Sequence, residues 1–171
     1  MVIREKAESD AAACLELLLE VHRKDHYPLH ITAGQVPEFL ESGHEAAAWV
    51  AEEDGRIVGH VALHTPPADP TLELAGARTG LPLDGLALLA RLFVAPSARR
   101  TGLGRTLLRH AAAQAPALGR RAVLDVGQTL ASAVALYEAE GWSRVGELHL
   151  PLDEETMLDL WVYVSPPAGA Q

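Results

Sequence analysis

The sequence predicts a mixed α/β domain, and three observations carry that class. An apolar run, Leu88, Leu89, Leu92, Phe93 and Val94, reads as a buried strand that Pro96 stops. After a glycine-punctuated turn, Leu103, Leu107, Leu108, Ala111 and Ala115 follow at helical spacing, so a helix begins at or near Gly102. A strand at Arg121 to Val126 then leads into the helical stripe Leu130, Ala133, Val134 and Tyr137, which Gly141 ends. Earlier in the chain, Asp54-Gly55 sits between the apolar runs Ala47–Ala51 and Ile57–Leu63, a strong hairpin signal. Strand–helix alternation after Leu88 implies right-handed crossovers in one sheet.

The remaining elements follow in order. Val2 to Arg4 is a short first strand. Asp10 to His22 is a helix with apolar positions Ala11, Cys14, Leu15, Leu18 and Leu19, and Ser9 or Asp10 is placed to cap it. Cys14, on that stripe, is expected to be packed core. Pro37 to Ser42 forms a second short helix, starting near Thr32 to Val36. Gly59, inside a strand, implies a bulge or a close backbone approach. His64 to Gly85, with Pro66, Pro67, Pro70 and Pro82, is the least regular stretch, with a short helix at Thr71 to Arg78. It is longer than a hairpin loop requires, and functional and decorative roles both stay open. Pro116 and Gly119 end the helix that starts near Gly102, and Thr129 is placed to cap the next one. Trp142 to Leu150 and Leu158 to Val164 are two closing strands joined through Pro151 to Thr156. A single domain is expected over residues 1–171, with its core at about 2–164 and a frayed tail over 165–171.

Composition sets limits on function. At 171 residues and 49% hydrophobic the chain buries a sizeable core. No apolar run reaches the roughly 18 residues that span a bilayer, and the charged Met1 to Asp10 has no signal-like stretch, so no membrane partner is expected. The single cysteine excludes an internal disulfide framework and fits a reducing compartment, the cytoplasm. A net charge of −9 argues against nucleic-acid binding. His22, His26 and His30 are spaced four apart, but Pro28 interrupts the helix between them. No Cys, Asp or Glu completes a ligand pattern, so no metal is expected.

Against that acidic background, no Asp or Glu occurs between Gly85 and Leu124, while Arg91, Arg99, Arg100, Arg105, Arg109, Arg120 and Arg121 all lie there. A strand, a glycine-rich turn and a helix N-terminus make an anion site, because first-turn amides lack intrahelical partners and the helix dipole is positive there. The basic island is either the rest of a phosphate site or a solvated helix face. Familiar glycine loops do not fit. Arg105 stands where a P-loop needs Lys, and only Gly102 and Gly104 of a three-glycine dinucleotide fingerprint are present.

Arg99-x-x-Gly102-x-Gly104 after a strand ending Leu92-Phe93-Val94 resembles the acyl-CoA pyrophosphate loop of the GNAT family of N-acetyltransferases. The strand Val123 to Val126, then Ala133-x-x-Leu136-Tyr137-Glu138 and Gly141-Trp142, resembles the second half of that family's core; the likeness runs from roughly Ala47 to Trp142. It implies the acyl-CoA N-acyltransferase fold, a mixed and mostly antiparallel sheet with a splayed parallel strand pair and flanking helices. It also implies acetyl-CoA as cosubstrate, an amine acceptor and no metal, with a homodimer left open. Arg99, Arg100, Thr101, Gly102, Leu103, Gly104, Arg105 and Thr106 would hold the pyrophosphate. The backbone of Leu92, Phe93 and Val94 would pair with pantetheine like an added strand, with the Val94 amide facing the thioester oxygen. Tyr137 would donate a proton to the departing thiolate, and His26 and Tyr27 would border the acceptor.

Two departures matter. Leu88 stands where many members carry a Glu that accepts the amine proton, and Leu130 stands where an Asn often opens the following helix. Gln128 lies two positions from that Asn site. His64, Glu73 and Asp84 are the alternative bases. An alkylamine with a pKa of about 10.4 arrives protonated, so an acceptor for its proton is needed. Three readings result: an acetyl-CoA-dependent N-acetyltransferase, a non-catalytic acyl-CoA-binding module, and an acyltransferase using another acyl group or an oxygen acceptor. The acidic balance outside the basic island suits a cationic acceptor. The 64–85 segment would be an acceptor lid or decoration.

Overall fold

The computed structural model describes residues 1–41 and 43–167. Seven strands, β1 (Val2–Glu5), β2 (Glu45–Glu53), β3 (Arg56–His64), β4 (Leu86–Val94), β5 (Arg121–Gly127), β6 (Ser143–Pro151) and β7 (Met157–Val164), form a mixed sheet in the order β1-β2-β3-β4-β5-β7-β6. The five helices of the described residues are α1 (Ala11–Asp25), α2 (Val36–Leu40), α3 (Pro70–Thr79), α4 (Leu103–Gln114) and α5 (Ala131–Ala139). β4 and β5 form the parallel pair, as expected from the strand–helix–strand order. Among the described residues no helix is long and apolar enough to cross a membrane. The chain divides into two compact units, Met1–His64 with Ala90–Ala111, and Thr65–Leu89 with the chain from Ala112 on.

In the first unit, β2 and β3 form the predicted hairpin. Asp54 (φ 51°) and Gly55 (φ 77°) both take the left-handed conformation that a two-residue turn of this hand demands. Both expectations for Gly59 are realised. The register jumps from Ala51↔Gly59 to Glu52↔Ile57, leaving Val58 as the bulged residue. On the face of Gly59, a Cβ would lie 2.7 Å from Leu107 Cδ1 and 3.3 Å from Leu103 Cδ2, so α4 lies directly against the β3 backbone. The bulged Val58 carbonyl accepts the Ala95 amide at 2.8 Å and pins the end of β4.

α1 differs from its expectation in its cap, face and end. Asp10 does not cap it. Its carboxylate accepts the Ala7 amide at 2.7 Å and the Arg4 guanidinium at 2.7 Å, closing the short turn ahead of the helix, and Arg4 and then Ala7 hold it down at about pKa 2. The helix runs on to Asp25, with His26 (φ 59°) as a left-handed C-cap. Its buried residues are Cys14, Leu17, Leu18 and Val21, a stripe rotated from the predicted one because Leu15 and Leu19 are only half-buried. Cys14 is fully buried, as expected, and burial pushes its thiol up to about 11. Of the second predicted helix, α2 is described, and Ser42 lies outside the described residues. His22 points Nε2 at the Ile31 carbonyl, 3.0 Å away, and among the described residues no three His, Cys, Asp or Glu side chains could hold a metal.

In the second unit, the proline-rich segment contributes part of the core. Asp69 caps α3 by accepting the Leu72 amide at 3.0 Å, Pro70 takes the first helical turn, and Gly80 (φ 77°) ends it. Leu72 and Ala75 pack with Leu86, Val123, Val162 and Val164 into one apolar cluster. Thr129 does not cap α5 with its side chain; Leu130 is the N-cap residue and Thr129 offers only its carbonyl to the Ala131 amide at 3.0 Å. The expected frayed tail begins later than Ser165. That residue is 4% exposed, its amide bonds the Ala122 carbonyl at 2.9 Å, and its own carbonyl accepts Arg121 at 2.7 Å. Residues 168–171 lie outside the described residues.

Two predictions follow from this packing. Gly59→Val should cost about 1–3 kcal/mol by overpacking the α4 contact, and a urea midpoint equal to wild type would show slack at that interface. Burial is the first cause that pushes His60 and His64 down to about 4. Between pH 4 and 6.5 the unfolded chain therefore binds more protons than the folded one, so stability is full above pH 6.5 and is lost as pH falls through that window, by on the order of 1–3 kcal/mol per histidine. His60→Phe should accordingly lie closer to wild-type stability at pH 4.5 than at pH 7.5. An equal gap at the two pH values would contradict a neutral buried His60.

Candidate active site

The β4–α4 connection is held open by its own hydrogen bonds. Arg100 (φ 65°) and Gly102 (φ 80°) are both left-handed and bracket Thr101. The Thr101 hydroxyl donates to the Ala98 carbonyl at 2.5 Å, while the Thr106 amide and hydroxyl both donate to the Gly102 carbonyl at 3.0 Å. The Ala98 and Gly102 carbonyls thereby accept from Thr101 and Thr106, and as first-turn residues of α4, Leu103, Gly104 and Arg105 have amides without intrahelical acceptors.

The two glycines are there for different reasons. A Cβ on Gly102 would meet nothing within 4 Å, so its backbone angle is what requires glycine. Gly104 has no such angle, and its Cβ would make only an ordinary 3.9 Å contact with Val94 Cγ2. Glycine inside a helix costs about 1 kcal/mol relative to alanine. Nothing in the protein's own packing requires it at Gly104.

The arginine island divides by role. The Arg91 guanidinium donates to the Phe39 carbonyl at 3.2 and 3.1 Å and lies 3.9 Å over the Phe39 ring. Arg120 donates to the Leu86 carbonyl at 2.8 Å, and Arg121 to that of Ser165. These three are carbonyl clasps, each within its unit. Arg99 pairs with Asp25 at the end of α1, which raises Arg99 and lowers Asp25 in pKa. Arg100, Arg105 and Arg109 are exposed along the loop and helix. The phosphate-site and solvated-face readings both overlooked the internal clasps.

β4 carries a local departure at Arg91, whose φ of 55° interrupts an otherwise extended strand. The fully buried His60 on β3 places Nδ1 2.8 Å from the Arg91 carbonyl, so that nitrogen carries the proton, and its ring stacks on Phe93 at 4.9 Å and 11°. Leu92, Phe93 and Val94 follow this irregularity. Tyr27 lies edge-on to Phe39 at 6.1 Å, and His26 is exposed beside it.

Leu92 to Thr106 belong to the first unit and Tyr137 to the second. Tyr137 is half-buried, with its ring 6.0 Å from Tyr163 and 6.3 Å from Trp142. Burial first, then the negative charge of Asp125, push its phenol up to about 12. The stripe that contains it is not core: no residue of α5 is fully buried, and Leu130 is 38% exposed. Trp142 and Tyr163 are aromatic partners of that face and meet it through Tyr137.

The alternative residues are placed as follows. Gln128 turns its amide to the Leu160 carbonyl at 3.3 Å and to Glu147 at 3.2 Å, onto β7 and β6. His64 is buried, whereas Glu73 and Asp84 are exposed. Asp125 is exposed between the buried Leu124 and Val126 of β5, and its Oδ2 accepts the Thr71 hydroxyl at 2.7 Å.

Comparison with known proteins agrees with this architecture. The sequence matches the model of the Acetyltransferase (GNAT) family over residues 12–142. It is 29% identical over 169 residues to peptidyl-lysine N-acetyltransferase YiaC of Escherichia coli K12, covering 96% of this chain and 97% of that protein. It is 32% identical over 120 residues to N-acetyltransferase family 8 member 3 of Rattus norvegicus, covering 70% of this chain but 48% of the rat protein, so the chain spans about half the length of that relative. Among solved structures, yncA of Salmonella typhimurium with its cofactor acetyl-CoA superposes with a TM-score of 0.69 at 18% identity, over 96% of this chain and 92% of that one. The ribosomal-protein-alanine N-acetyltransferase of Brucella melitensis does so at 0.69 and 22% identity, over 96% and 99%. With a parallel β4–β5 pair at the centre of its sheet and the family match spanning most of its length, the chain belongs to the GNAT family of acetyltransferases.

Proposed function

We propose that this chain transfers the acetyl group of acetyl-CoA to a primary amine of a protein or small molecule by direct attack on the thioester. The observation that carries the reading is Gly104, a helix glycine that the protein's own packing leaves unexplained and that a phosphate approaching the α4 amides explains. The residues present fit the cosubstrate. Arg99 to Thr106 supply backbone amides and positive charge for its pyrophosphate. The β4–β5 ladder pairs Leu86, Ala87 and Leu88 and ends there, so the register gives Leu92, Phe93 and Val94 no β5 partner. Their backbone groups suit an extended amide-bearing arm, with the Val94 amide donating to the thioester oxygen as charge develops.

Acetyl-CoA, when bound, supplies the activated acyl group and a thiolate leaving group. Tyr137 is the donor for that thiolate. A phenol at about 12 stays protonated across the physiological range, so it acts as an acid and not as a base. YiaC, by its name, acts on peptidyl lysine, and a cationic amine of that kind suits the acidic balance of this chain. The single buried Cys14 suits the cytoplasm. Leu88 at the usual acid position favours a second reading, a non-catalytic acyl-CoA-binding module.

Measuring acetyl-CoA affinity and CoA-thiol release with a panel of amines separates the two, since binding without turnover on any amine selects the module. Gly104→Val should weaken acetyl-CoA binding by about tenfold or more, the worth of a hydrogen bond to a charged group, with the thermal midpoint little changed. A folded variant of undiminished affinity removes the pyrophosphate from this loop. Tyr137→Phe keeps the ring against Trp142 and Tyr163 and should lower kcat by about 10²–10⁴-fold at unchanged acetyl-CoA affinity; normal turnover would exclude Tyr137 as the acid.

A further inference from the structure

No residue of α5 is fully buried, so a core stripe does not set how that helix is turned about its axis. A hold on it comes from β7 instead. Tyr163 is fully buried in that strand, paired with Leu124 of β5 on one side and with Arg144 of β6 on the other. Its ring lies 6.0 Å from that of Tyr137, and its hydroxyl donates to Glu138 Oε1 at 2.8 Å. One side chain of the sheet therefore meets two consecutive residues of the helix. Consecutive residues point about 100° apart around a helix axis, so contact with both fixes the rotation of α5. That rotation decides where the Tyr137 phenol points.

The hydroxyl is itself held. Arg144 Nε and Nη2 each donate to the Tyr163 oxygen at 3.1 Å, Nη2 also donates to Glu138 Oε1 at 2.8 Å, and the guanidinium rests 4.0 Å over the Trp161 ring. With Arg144 donating to its oxygen, Tyr163 directs its own proton to Glu138. Glu138 and Arg144 are exposed, and an exposed ion pair alone contributes little. Glu138 also lies in the last turn of α5, where a negative charge opposes the helix dipole. What the carboxylate supplies there is an acceptor for the buried hydroxyl.

We propose that Tyr163 is the positioning residue for Tyr137, acting through the bond to Glu138 that fixes the rotation of α5, an assignment that rests on the acetyl-transfer reading above. Tyr163 exchanges no proton in the reaction and keeps its own on Glu138. Tyr137 alone meets the departing thiolate. A proton donor must come within about 2.6–3.2 Å of its acceptor, and a phenol oxygen, at the far end of its side chain, swings widely when the helix turns.

The test is a double-mutant cycle on CoA-thiol release from acetyl-CoA. The amines are a lysine-containing peptide, a peptide with a free N-terminal alanine and a primary diamine, using whichever wild type turns over fastest. Tyr163→Phe keeps the ring beside Tyr137 and removes the hydroxyl. It should lower kcat by up to about 10²-fold, with the acetyl-CoA Kd and the amine KM near wild type. In the Tyr137→Phe background the same change should lower kcat no further, because the hydroxyl it positions is already gone. Glu138→Ala should match Tyr163→Phe. Glu138→Gln keeps an oxygen to accept from Tyr163 and Arg144 and should hold kcat within a few-fold of wild type. Because Glu138 is exposed, this pair reports on the bond even where the buried Tyr163→Phe change impairs folding. Wild-type kcat in Glu138→Ala, or an equal loss from Tyr163→Phe in both backgrounds, would overturn the assignment and leave acetyl transfer standing. Normal turnover by Tyr137→Phe, or wild-type protein that binds acetyl-CoA and releases no thiol with any of the three amines, would overturn the reading beneath it as well.

Discussion

The short parallel ladder between β4 and β5 is the constraint on which the rest depends. Only Leu86, Ala87 and Leu88 pair with Arg121, Ala122 and Val123, although the two strands are nine and seven residues long. β4 is also a neighbour of β3, and β5 runs on as a partner of β7 through Gly127. Backbone amides and carbonyls do not go unpaired without a reason. In the proposed reading, an extended amide-bearing arm completes the hydrogen bonding of β4 past the end of this ladder.

Each unit stabilises its own portion with clasps that look electrostatic in sequence but bind backbone. Arg91, Arg120 and Arg121 place guanidinium groups on the carbonyls of Phe39, Leu86 and Ser165. A guanidinium offers several donors in one plane, which lets one side chain grip a carbonyl firmly. In the first unit this matters for the site. Arg91 sits at the left-handed break in β4, its side chain held by Phe39 and its carbonyl by His60. Phe39 and His60 thus flank the turn of the strand into Leu92, Phe93 and Val94. His60 does this as a neutral imidazole, because burial without a counter-ion disfavours its charged form.

Leu88 is half-buried and is the last β4 residue paired with β5, opposite Val123, so its position contributes to sheet pairing. The acid–base groups of a thioester aminolysis need only reach the reacting atoms, and a sheet can supply them from more than one strand.

The sequence by itself determined the parts whose physics is local. The Asp54-Gly55 turn follows from residues that accept left-handed backbone, the α4 face from apolar spacing, and the loop before α4 from its glycines and arginines. Gly59 was legible as a special position because glycine in a strand has few uses. Tertiary structure alone decided what depends on contacts distant in sequence. Asp10 closes onto Arg4 and Ala7 before it can cap α1, Leu17 and Val21 replace Leu15 and Leu19 on the buried face, and Ser165 is anchored by Ala122 and Arg121. The arginine clasps and the α3 layer belong to the same class, since an arginine reads identically in sequence whether it meets a phosphate or a carbonyl. The bond from Thr71 to Asp125 is the clearest case, since it joins residues 54 positions apart, and hydrogen bonds over that separation have no signature in a one-dimensional pattern.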